Sequence, residues 1–142
     1  MDVYEVRDQM LGTEERWRKL RWLRLELVSY QDAAADIRRG HARVWETYTR
    51  FDAQTFKLLL GDVVTLLPAQ DGLLRRLLAV PAEAGAINQL LDEAHAYDMT
   101  GAMARGGREQ SYMTTIHRKL ESFGEQCHAV ERELERVVGP GF

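Results

Sequence analysis

One cysteine, Cys127, is all the chain has among its 142 residues, so no disulfide can close within it. That suits a reducing compartment. Prolines are nearly as scarce: Pro68 and Pro81 punctuate the middle and Pro140 stands close to the end. Residues 1–67 and 82–139 therefore lack the residue that most effectively breaks helices. No apolar run approaches the roughly 20 residues that span a bilayer; the richest, 56–67, is interrupted by Lys57, Gly61 and Asp62. A strong charge of one sign is missing too. The formal net charge is −3, too small for a global field that draws the chain onto nucleic acid or anionic lipid. The opening Met1-Asp2-Val3-Tyr4-Glu5 lacks the basic start and apolar run of a signal peptide. These absences predict a cytoplasmic protein with no membrane partner.

What is present is helix-forming. At 45% hydrophobic and 29% charged the chain is globular in composition, and residues 1–142 are of a size to fold as a single domain without metals or disulfides. Leu, Ala, Glu, Arg and Gln dominate. The first long segment is predicted over 13–50. Thr13 is placed to cap it, with Glu14 and Glu15 in the first turn where the helix dipole favours acids. An apolar stripe then steps by three or four through Leu20, Leu23, Leu27, Tyr30, Ala34, Ile37, His41, Val44 and Tyr48, with Gly40 a candidate break. The last segment, 108–138, is more regular still: Tyr112, Ile116, Leu120, Phe123, Cys127, Val130, Leu134 and Val137 form one face, opposite a charged one, until Gly139-Pro140-Gly141 stops it.

Between them, Asp52 can cap a helix through Phe56 to Leu67 that is apolar nearly all round and so predicted to be buried on most sides, with a strand at 63–67 as the alternative. A short helix follows over 73–79, with Arg75 and Arg76 on one side. A new helix starts at Pro81 and carries Ile87, Leu90, Leu91, Ala94 and Met99 or nearby residues on one face. Arg105-Gly106-Gly107-Arg108 reads as a turn. The predicted fold is all-α: a helical bundle with two long antiparallel, coiled-coil-like amphipathic helices and shorter helices between them.

No catalytic, cofactor or metal site is predicted. Glu125…His128 matches Glu-x-x-His, and Asp92…His95 resembles it, the spacing that builds di-metal centres when it faces a bundle core. Here Glu125 and His128 fall away from the Phe123–Cys127 stripe, and Asp92 away from the Ile87–Leu91–Ala94 face. Cys127 sits in the seam, and its neighbour His128 cannot face it on a helix, so it reads as a packed thiol rather than a nucleophile. His41 reads as a core-edge residue, His117 and His128 as solvated. Gly106-Gly107 has no phosphate-loop spacing.

The unusual feature is Arg16-Trp17-Arg18-Lys19-Leu20-Arg21-Trp22-Leu23-Arg24: five basic residues in nine, no acid, and two interleaved tryptophans. Trp and Arg are the commonest anchors of protein interfaces, while basic residues with aromatics also suit phosphates and exposed bases. A third reading has Trp17 in the core, Trp22 over a neighbouring helix and the charges balanced by the acidic last helix. The expectation is a non-enzymatic adaptor or assembly subunit that packs helices against a protein partner or a second copy. Arg16, Trp17, Arg18, Lys19, Arg21, Trp22 and Arg24 are its candidate contact residues. The alternative is a nucleic-acid-associated helical subunit using the same segment.

Overall fold

The computed structural model describes residues 3–40, 42–67 and 71–139, with side chains for 14–40, 42–67, 72–103 and 106–139. Among these residues five α-helices follow in order: α1 (Val3–Gly40), α2 (Ala53–Val63), α3 (Asp71–Met99), α4 (Ala102–Gly106) and α5 (Glu109–Val138), with 3-10 turns at Val44–Glu46 and Val64–Leu66. Among the described residues there is no strand, and no helix is long and apolar enough to cross a membrane. The expected all-helical bundle is what forms.

Its four longer helices make a ring in which α5 lies between α1 and α3 on one side and α2 lies between them on the other. Polar pairs fix the directions. Arg24 meets Glu135 while Arg38 meets Glu121, so α1 and α5 are antiparallel. Lys19 meets Asp62 while the Tyr30 hydroxyl donates to the Asp52 carbonyl, so α2 runs back along α1. Arg76 pairs with Glu133 at one end of α3, and Tyr97 stacks near Tyr112 at the other.

The interior is one continuous apolar cluster. Leu20, Leu23, Leu27, Tyr30, Ala34 and Ile37 enter it from α1, and Ile116, Leu120, Phe123, Cys127, Val130 and Leu134 from α5. At mid-height Tyr30, Phe51, Phe56 and Phe123 interlock, with ring centroids 4.9 Å apart for Phe51–Phe123 and 5.8 Å for Tyr30–Phe56. Edge and offset contacts of this kind add to what burial alone contributes.

Several boundaries differ from expectation. α1 is already helical from Val3, so Thr13 lies inside it and is no cap; nothing from Glu5 to Leu11 breaks a helix, and Gly12 alone weakens it by only about 1 kcal/mol. At the other end α1 stops at Gly40, and the chain leaves the helical register. Val44 is buried from a 3-10 turn, whereas Tyr48 is 98% exposed rather than on the stripe. α2 buries only Phe56, Leu60 and Val63, so it is one-faced and not buried on most sides; Leu58 stands 61% exposed. Residues 64–66 form a 3-10 turn and no strand. The expected Asp52 cap is present: its carboxylate accepts from the Thr55 N–H at 3.0 Å and the Thr55 hydroxyl at 2.6 Å. Those bonds hold the Asp52 carboxyl below its ordinary pKa.

The largest difference is α3. The separate helices expected on either side of Pro81 are one helix of 29 residues. Pro81 leaves the Leu77 carbonyl without its intrahelical N–H, a cost of up to about 3 kcal/mol. A seam runs straight through it: Leu73, Leu77, Val80, Ala84, Ile87, Leu91 and Ala94 are all buried, at steps of four and three, and Pro81 itself is buried. Packing this face on α2 and α5 offsets the missing bond. Met99, expected on the face, is exposed beyond its end. Gly101 and Gly107, both in the left-handed region (φ +75° and +67°), flank α4 and turn the chain into α5. Gly139 donates to Glu135 at 2.9 Å and ends α5. His41, Pro68 and the Pro140-Gly141 stop lie outside the described residues.

Candidate recognition surface

α1 carries the start of the Arg/Trp segment past the end of its partner helix. Arg24 sits level with Glu135, so α5, ending at Val138, stops near Leu20. The turns of α1 before that run on without α5. Arg16 aligns with the core stripe, one turn before Leu20, and is nonetheless exposed.

The seven candidate residues separate into three groups. Trp17 is half-buried and packs on the core. Lys19 and Arg24 are engaged within the chain. The Lys19 ammonium lies 2.9 Å from Asp62 and 3.8 Å from Glu15, and the Asp62 hydrogen bond raises its pKa. Arg24 reaches Glu131 at 3.6 Å and Glu135 at 3.7 Å, the expected balance by the last helix. Arg16, Arg18, Arg21 and Trp22 remain at the surface. Among the described residues the three arginines make no ion pair.

Helix geometry sorts these further. Arg18, Arg21, Trp22 and Leu25 are spaced i, i+3, i+4, i+7 and share one face. At about 100° per residue that face points opposite to Leu20, Leu23 and Leu27, straight away from the core. Trp22 is 49% exposed and Leu25 62%. α2 widens the patch. One turn along α1 from Lys19 is Trp22, and one turn back along α2 from Asp62 is Leu58; because the helices are antiparallel, both steps from the Lys19–Asp62 bridge go the same way. Leu58 thus stands at about the height of Trp22 and is itself 61% exposed.

Leu25 was not among the candidates, since it belongs neither to the basic run nor to the core seam; its spacing from Arg21 and Trp22 was the available signal. The opposite end of the bundle holds the other polar cluster missed in the sequence. Arg43 bonds Glu109 at 2.9 Å and Asp98 at 3.2 Å, and the buried Trp45 donates its indole N–H to Asp98 at 3.0 Å. These two acids raise the Arg43 pKa, with the Glu109 hydrogen bond first. Every partner there is internal, so this cluster fastens the 42–46 segment to α3 and α5.

No family model matches the chain, and no curated protein or solved structure matches it.

The Glu-x-x-His spacings do not converge. Glu125 and His128 are exposed on α5, Asp92 is bonded to Arg50 at 2.8 Å, and His95 is exposed. Among the described residues no three His, Cys, Asp or Glu side chains could hold one metal ion. Cys127 is buried, and burial pushes its thiol up to about 12.

Proposed function

We propose that this protein is a non-enzymatic, cytoplasmic adaptor or assembly subunit that works by docking the outward face of α1 against another helical surface. The observation that carries this reading is the exposed Trp22–Leu25 pair beside two arginines that no acid of the described chain engages. Trp and Arg side by side are the composition of interface hot spots. Covering a tryptophan and a leucine that stand about half or more in water returns a few kcal/mol, about 1.5–3 for a fully buried side chain. Affinity capture from the cells that make the protein, with wild type and a Trp22→Ser/Leu25→Ser variant in parallel, tests this. The expected result is association, with a partner or with itself, that the variant loses. Equal recovery by both forms, or a wild type that neither captures nor self-associates, overturns it.

Exposed Arg16, Arg18 and Arg21 beside Trp22 support a second reading, binding of a single-stranded nucleic acid. Lys19 and Arg24 are already engaged, which leaves three cations. Phosphate contacts by three give a salt slope of only about −2. Anisotropy of a labelled oligonucleotide across salt concentration checks this; no binding at low salt removes it.

A further inference from the structure

Around Leu25 the outward face of α1 sets opposite charges at equal distances. Three residues either side stand Trp22 and Val28, four either side Arg21 and Ser29, and seven either side Arg18 and Asp32. Trp22, Leu25, Arg18, Arg21, Ser29 and Asp32 are exposed and Val28 is half-buried. Arg18 and Asp32, at the two ends, make no ion pair among the described residues. The nearby Asp36 is matched to Arg39 at 3.2 Å.

We infer that the occupant of this face is a second copy of the chain, its α1 laid antiparallel on the first about a two-fold axis through Leu25. In that arrangement each residue lies level with the one equally far on the other side of Leu25. Leu25 packs on Leu25, Trp22 lies over Ser29 and Arg21 along Val28 on the two sides of the contact line, and Arg18 of each copy meets Asp32 of the other. The charges favour this direction: a parallel pairing sets Arg18 on Arg18 and Asp32 on Asp32, and like charges in register are unfavourable, whereas the antiparallel one pairs them with opposite charges and brings like charges together only at its rim, where Glu14 faces Asp36. A two-fold contact is isologous, so the Arg18–Asp32 pair forms twice and the surface closes on itself without building filaments. About four turns of one helix bury less than the area typical of stable complexes, so the dimer is reversible and depends on concentration. The inference rests on the reading of α1 as the docking face and names its occupant.

Sedimentation equilibrium on the full chain tests it, with wild type, Arg18→Asp, Asp32→Arg and the double exchange R18D/D32R. The wild type is expected to show a monomer–dimer equilibrium. Either single reversal, which sets like charges together twice, weakens association tenfold or more, and the double exchange returns it to within about threefold of wild type. Neither residue has an ion-pair partner among the described residues of its own subunit, so all four should fold alike by circular dichroism and melting temperature. A wild type that stays monomeric at millimolar concentration overturns the inference, as does a double exchange no better than the singles. A dimer indifferent to all three substituted forms places the contact on another face and overturns it too. A monomer that still captures a partner lost on Trp22→Ser/Leu25→Ser removes the second copy and leaves the adaptor reading standing.

Discussion

Asp98 shows how much one side chain can hold. It accepts the indole N–H of a fully buried tryptophan and a guanidinium N–H of Arg43, whose other contact is Glu109 on α5. Asp98→Ala leaves the Trp45 N–H without an acceptor inside the protein, and such a group costs about 1–3 kcal/mol. Urea unfolding should register a loss of about 2 kcal/mol, with Asp98→Asn closer to wild type because the amide oxygen still accepts. Cys127 sets an alkaline limit. Burial raises its thiol from the ordinary 9.0 to about 12, so between those values the unfolded chain has released a proton that the folded chain keeps. The folded state then binds more protons, and stability falls as pH rises above 9, with a slope approaching about 1.4 kcal/mol per pH unit for one such group. Tyr30, raised above its ordinary 10.0 chiefly by burial, steepens the fall from there. Urea midpoints followed from about pH 7 to 10 check this, and Cys127→Ala should flatten the first part of the decline.

At the scale of the element, α2 is held by polar bonds at its start as well as by its apolar face. Asn88 on α3 accepts the Phe51 N–H and donates to the Phe51 carbonyl, both at 2.8 Å, closing the backbone just before the Asp52 cap. Asn88→Ala removes both bonds and should cost about 1–3 kcal/mol, with hydrogen exchange rising first in 51–60. Asn88→Asp keeps the acceptor but sets a carboxylate against a carbonyl, and should be no better. Of the elements, α5 was legible throughout, because its seam has no interruption and Gly139 ends it; so was the Asp52 cap, and so was the break at Gly40. Pro81 hid the unity of α3, although the buried positions on either side keep one unbroken rhythm; local breaker rules take no account of what a helix packs on. The α2 surface was over-assigned to the core because a run of leucines carries no mark of which one lacks a neighbour. In the recognition surface the arginines and tryptophans were legible as composition, but only the positions of Asp62, Glu131 and Glu135 divide engaged cations from unengaged ones.

For the whole molecule, all four longer helices feed one continuous apolar cluster, so unfolding should be a single cooperative event. Trp45 is at the Asp98 end and Trp17 and Trp22 are on the far part of α1. In a Trp17→Phe/Trp22→Phe variant the remaining fluorescence reports the loop end alone. Its urea transition should coincide with that of helicity, and a lag between the two would show an end that melts separately. The pairing of α1 with α5 also acts in time. Gln31 bonds Glu131 at 3.0 Å across 100 residues of chain, and at about 5–20 residues per second a ribosome needs roughly 5–20 seconds to bring the second after the first. Until then the leucine stripe of α1 lacks its main cover. A message cut short before α5 never covers it, so release of the finished bundle doubles as proof that translation passed through that helix.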